Sequence, residues 1–348
     1  MPRTRTSSVG SAVSAIPTAI GLATALASNG GLTGGTVAPS APKAVVRSAT
    51  AAKHFSVPMT NLQQWSRTVL VTLPDVSISG HSNVHALDSD CEIHLGAQTS
   101  AFDGTPNGLV LEPMNACVQP FPGDSAQNNA SWVNFAQTVT DFSTKGGTVT
   151  ATGVPRIWPE HLIGGAPSNP DHAVELHPLT HIEWTDAATK HVEDFVANIF
   201  AGEYGGGVKE ETALGIIQNT SVTVTKNGDS ADIAFTAGTI GNFTLINVSI
   251  DKASMVADSD GSVRMNGAVN TQGSTLVPVR IVTVKGSRIN DSITTARADA
   301  NGQVTLDALV LLSLSPESVL AAANKSAGKP VKVDNPIQLI LYGTPDDQ

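Results

Sequence analysis

Residues 173–184, AVELHPLTHIEW, constrain the chain more than any other stretch. They read as one strand broken at Pro178. Val174, Leu176, Pro178, Thr180, Ile182 and Trp184 fall on one face; Glu175, His177, Leu179, His181 and Glu183 fall on the other. Strand side chains alternate, so one face is mostly apolar and the other presents two carboxylates and two imidazoles.

The segments before it build towards it. Residues 65–79 read as a first long strand, with Pro74 at a bend or bulge. Residues 90–96, DCEIHLG, alternate strictly, with Cys91, Ile93 and Leu95 facing one way and Asp90, Glu92 and His94 the other. A turn cluster at 103–108 then leads to LVLEPM over 109–114, the return strand of a hairpin. Directly opposed residues of an antiparallel pair share a face. If Cys91 lies opposite Cys117, Leu109 and Leu111 join Ile93 and Leu95 on the core face, and Glu112 joins Glu92 and His94 outside. One register thus gives an apolar face, a polar face and a feasible Cys91–Cys117 disulfide.

Asn128 or Asn129 then caps a helix whose Trp132, Phe135, Ala136, Val139 and Phe142 form an apolar stripe, stopped at Gly146–Gly147. A strand over 148–154 and a Pro- and Gly-rich loop lead into 173–184. Three strands, a helix and two strands is the order of an OB-like five-stranded barrel, with the helix plugging one end.

The residues DSDCEIHL from Asp88, Glu112–Pro113, Cys117 and the late ELHP at 175–178 resemble a family of uncharacterised, mostly exported bacterial proteins. Its members pair a D-x-D-x-H-L strand with a late E-L-H-P strand. The resemblance covers roughly 68–184 and implies a small β-barrel with no agreed activity. The family's usual H-G-Q-T-G is replaced here by HLIGG at 161–165.

The remainder of the chain sets the domain map. Residues 1–27 carry Arg3 and Arg5, an uncharged apolar run and Ala25-Leu26-Ala27, the pattern of a signal peptide; a low-complexity leader is the other reading. Residues 28–60 read as a flexible linker, 61–186 as the OB-like domain and 187–212 as a helical connector, from the spacing of Val192, Phe195, Val196 and Ile199. Over 213–348 short apolar runs alternate with turns such as Asn227–Gly228 and Asn301–Gly302, which predicts an antiparallel, β-sandwich-like domain. Ser292 to Ala298 is read there as a strand, and Ser315 as the cap of a short helix that opens at Pro316. The whole is mostly β.

The chemistry concentrates in the first barrel, which holds seven of the nine histidines, from His81 to His181. The candidate metal ligands are His94, Glu112, His161, Glu175 and His177, brought together by the second, third and fifth strands and the long loop. Imidazole and carboxylate converging from different strands suit a divalent metal such as zinc. No compact H-E-x-x-H, nucleophile elbow or phosphate loop occurs, and cross-strand hydrogen bonding is the alternative for the same residues. A net charge of −10 disfavours nucleic acid as a partner, and no apolar run has membrane-spanning length. Two functional readings follow. One is an exported binding or structural protein, extracytoplasmic or secreted, that holds a protein, glycan or small ligand on the outer barrel face. The other is a metal-dependent hydrolase, phosphodiesterase-like, using the His/Glu cluster.

Overall fold

The computed structural model describes residues 51–85, 91–163, 165–198, 207–271 and 275–344. The signal-peptide segment, Asp88 and Asp90 lie outside these residues. The chain from Ser48 onward forms one compact unit.

Its first elements are β1 (Lys53–Pro58), α1 (Met59–Trp65), β2 (Val71–His81), β3 (Leu95–Thr99), β4 (Gly108–Leu111), α2 (Asn129–Thr144), β5 (Val149–Ile157), β6 (His172–Asp186) and β7 (Thr189–Asp194). The remainder are α3 (Glu210–Asn219), β8 (Ser221–Asn227), β9 (Ser230–Thr236), β10 (Phe243–Asp251), β11 (Val256–Ala257), β12 (Val263–Thr271), β13 (Thr275–Thr283), α4 (Arg288–Thr295), β14 (Gln303–Leu314), α5 (Pro316–Lys325), β15 (Val331–Lys332) and β16 (Ile337–Gly343).

The first barrel runs β4-β3-β2-β5-β6 and closes where β4 pairs parallel with β6. With the helix between its third and fourth strands, this is the OB-like connectivity expected from the strand order. The hairpin parity also holds: Leu95 opposes Leu111 and Ala97 opposes Leu109, and the Cys91–Cys117 disulfide is formed, with Cα atoms 5.3 Å apart. Pro74 does sit at a bulge, where the β2–β5 register shifts between Leu73 and Val76 and Asp75 takes φ 52°. Asn128 caps α2 by accepting from the Ala130 amide, and Trp132, Phe135, Ala136 and Val139 are buried. Gly153 lies so close to Pro178 that a Cβ there would meet its carbonyl oxygen at 2.6 Å. The β5 bulges on either side of Gly153 accommodate the break in β6.

The sheet domain of the second half closes as well. β10, β14, β16, β13 and β12 pair in that order, and β10 pairs back to β12. In chain order its connectivity is that of the first barrel: the third strand, β13, pairs parallel with the fifth, β16, and α4 lies between the third and fourth. The turn-punctuated strand pattern that suggests a sandwich is equally that of a barrel; the β10–β12 pairing at Val248–Val269 makes the difference.

Three local readings change. The linker expected over 28–60 ends in structure, because Lys53–Pro58 pairs with β9 in a separate sheet ordered β1-β9-β8-β15. The helical connector expected over 187–212 begins instead as β7: a two-residue turn, with Ala187 at φ 53°, folds Thr189–Asp194 back onto the edge of β6, and ladder partners so close in sequence override helical spacing. The strand expected at Ser292–Ala298 is largely helix α4, because Ser287 accepts from the Asn290 amide as a cap and Ile289 and Ile293 bury one helical face.

The barrels touch through polar contacts as well as apolar ones. Arg156 Nε donates to Leu312 O at 2.9 Å, the Ile157 amide to Ser313 Oγ at 3.1 Å and Tyr342 Oη to His177 O at 3.1 Å. The polar face of β6 at Glu175 and His177 is therefore buried against β14 and β16, and only its far end, at His181 and Glu183, remains half-exposed.

Candidate metal centre

Each group in the cluster is placed by an element already described. Glu92 and His94 lie just before β3, on one side of the chain by alternation. Glu92 is held by the neighbouring disulfide at Cys91 and by backbone bonds from the His85 amide to Glu92 O and from the Ala116 amide to Cys91 O, both 2.8 Å. Glu112 follows β4, where its amide donates to Leu176 O and its carbonyl accepts from Leu179. His177 arrives on β6 between them.

The result is a buried knot of imidazole and carboxylate. His177, fully buried, has Nε2 3.1 Å from Glu92 Oε2 and Nδ1 in contact with Glu112 Oε2. His94 Nε2 lies 3.3 Å from Glu92 Oε1 and 3.4 Å from Glu112 Oε1. Donor atoms from Glu92, Glu112 and His177 lie within 4.8 Å of one another, as do those from His85, Glu92 and His94, so Glu92 belongs to both triads. Despite these distances, both ring nitrogens of His177 and Oε2 of Glu92 make no hydrogen bond: the oxygens approach the ring off the line along which an N–H would donate.

Glu175 belongs to an adjoining group. Its Oε2 accepts from Arg156 Nη1 at 2.5 Å and its Oε1 faces His172 Nε2 at 3.1 Å, while it stands 3.5 Å from His177. His172 also points Nδ1 at Pro170 O, 2.7 Å away. Both of its nitrogens face acceptors, which suits the imidazolium. Burial opposes that charge, but Glu175 outweighs it and raises the His172 pKa. Burial likewise works against the charge on Arg156, and Glu175 and Glu160 override it. Burial would push Glu175 up; Arg156 and the two histidines hold it well below the carboxylate range. For His177, burial disfavours protonation, and Tyr342, Glu112 and Glu92 together reverse that, lifting it well above the usual imidazole value.

Of the five ligands read from the sequence, His94, Glu112 and His177 come together. Glu175 is close but committed to Arg156 and His172. His161 stacks on the His172 ring at 5.2 Å, because the long loop runs along the start of β6, where the His172 amide bonds His161 O. Glu92 takes a central place that the five did not give it; its alternation with His94 was the signal. His85, His172, Arg156 and Tyr342 carry no short motif that points to them. Neither a family model, a curated protein nor a solved structure matches this chain.

Proposed function

We propose that this chain is an extracytoplasmic metal-binding protein, in which Glu92, Glu112 and His177, with His94 beside them, hold one divalent ion of the zinc class in a structural or ligand-holding role. The observation that carries this reading is the geometry around His177. Ligand atoms on a tetrahedron with bonds of about 2.0–2.1 Å stand about 3.3 Å apart, and the lone pair of the ring nitrogen, not the oxygen, points at the ion. At His177 the 3.1 Å separation between Nε2 and Glu92 Oε2, with no N–H···O alignment, fits that arrangement better than a direct hydrogen bond. Arg156 and His172 neutralise Glu175, which leaves the other two carboxylates for the ion.

A hydrolase reading fits less well. A catalytic ion needs an open position that water and substrate reach, whereas the side chains of Glu92 and His177 are 1% and 0% exposed and the second barrel lies over His177. The disulfide fits an oxidising compartment; no helix among the described residues is long and apolar enough to cross a membrane.

Calorimetric titration of chelator-treated full chain with zinc tests this. One ion per chain is expected, with binding lost in His177→Ala and Glu92→Gln and unchanged in His161→Ala. The sign of the pH dependence follows from His177. Its pKa is raised by Tyr342, Glu112 and Glu92, so a proton competes with zinc for the ring, and affinity should weaken as pH falls, approaching about tenfold per pH unit below that pKa. No uptake by the parent chain, or uptake unaffected by His177→Ala, overturns the reading and leaves a proton-held ionic network.

A further inference from the structure

Strand β7 is an edge: among the described residues it pairs with β6 alone. Its backbone parity is set by the Phe195 amide, which donates to the directly opposed Thr180 O at 2.9 Å. In an antiparallel ladder hydrogen-bonded and non-hydrogen-bonded pairs alternate. Glu193 and His191, opposite Ile182 and Trp184, therefore bond inward, and Lys190, Val192 and Asp194 turn N–H and C=O towards the open side. Beyond Asp194 the chain is taken: the Asn115 side chain donates to Val196 O and Asn198 O. The available edge is thus 190–194, and Val192 in its centre is 43% exposed.

The sequence of this edge, Lys-His-Val-Glu-Asp, is self-complementary when run antiparallel to itself. Centred on Val192, Lys190 opposes the Asp194 of another copy, His191 opposes Glu193, and Val192 opposes its own counterpart. The pairs 190/194 and 192/192 are those whose backbone groups face outward, so register, hydrogen bonding and charge agree. Lys190 already bonds Glu183 and Asp194 already bonds His181, both at 2.7 Å. Pairing would extend these into one ladder of alternating charge across the sheet. We propose that a second copy of this chain docks on β7, antiparallel about Val192, joining two first barrels through a continuous sheet around a two-fold axis. This inference is independent of the metal reading.

Sedimentation of the full chain over a wide concentration range tests it. The parent should shift from monomer to dimer mass as concentration rises. Val192→Pro removes only an outward N–H and should hold the protein at monomer mass with an unchanged melting curve. Should that variant fail to fold, the charge variants decide: Lys190→Asp and Asp194→Lys should each be monomeric alone and form a dimer when mixed in equal amounts, since the mixture restores every opposite-charge pair. A parent that stays monomeric to its solubility limit, or a dimer indifferent to these substitutions, overturns the proposal.

Discussion

The two barrels share one connectivity and fill their fifth strands in opposite ways. β6 buries Glu175 and His177 within a cluster that also takes in Glu92, Glu112, Arg156 and His172. β16 buries Ile337–Gly343 entirely, with Gln338 and the Tyr342 hydroxyl as its polar side-chain groups. Among the described residues, no strand of the second barrel carries a buried carboxylate, so this connectivity closes without buried carboxylates on its strands and the fold itself does not require them in the first. Buried charge is costly unless it is matched. The first barrel matches it internally, carboxylate against guanidinium and imidazole, and the contrast makes the cluster a feature in need of its own cause.

The sharpest form of the comparison lies in two arginines. Arg156 is 1% exposed, donates to Glu175 and Leu312 O, and is pushed to a higher pKa by its acidic neighbours against burial. Arg280, 7% exposed in the second barrel, has Ser66 O at 3.1 Å and the exposed Glu317 at 3.4 Å; burial prevails and lowers its pKa. Arg156→Met should therefore cost about 3–5 kcal/mol, because it strands a buried carboxylate. Arg280→Met should cost about 1 kcal/mol or less, the scale of a solvent-facing pair. Urea unfolding of both variants measures the difference, and equal losses would break the comparison.

A second contrast concerns how each barrel holds its second and third strands together. In the second barrel, β12 and β13 pair along their full lengths, Val263–Thr271 against Thr275–Thr283. In the first, the β3–β4 ladder covers only Leu95–Ala97 against Leu109–Leu111, and the disulfide lies just beyond it. Replacing both Cys91 and Cys117 by Ser should cost about 3 kcal/mol by the chain-entropy argument. It should also weaken zinc uptake, since Glu92 adjoins Cys91 and loses its tether relative to Glu112. A stability loss with unaltered zinc affinity would separate the bridge from the metal centre.

Much of the first barrel was legible because alternation and one cysteine pairing over-determine it: the parity that joins Cys91 to Cys117 also places Leu95, Leu109 and Leu111 inside and Glu92, His94 and Glu112 together. Legibility ended where faces meet other parts of the chain. The odd positions of β6 look like an outer surface in the sequence, and nothing local says that β14 and β16 cover Glu175 and His177. Arg156 and Tyr342 are unreadable for the same reason, since their partners lie 19 and 165 residues away. At β7 the helical period of Val192, Phe195, Val196 and Ile199 points to a helix, whereas the hairpin turn at Ala187–Ala188 decides for a strand.

The smallest effect tests whether the two fifth strands communicate. Tyr342, on β16, is buried and donates its hydroxyl to the carbonyl of His177 on β6 at 3.1 Å, with the two rings 5.9 Å apart. Tyr342→Phe keeps the ring packing and removes one neutral hydrogen bond, which should cost about 1 kcal/mol. Alone, a value that size says little about coupling, so the informative experiment is the cycle with Arg156→Met. Arg156 and Tyr342 reach across the same interface in opposite directions, one from the first barrel to Leu312 O and the other from the second to His177 O. If the contacts form one network, the double variant should depart from additivity by about 0.5 kcal/mol or more. Additive losses would mean that the charged cluster answers to the first barrel alone, and that the second barrel covers the cluster without helping to hold it.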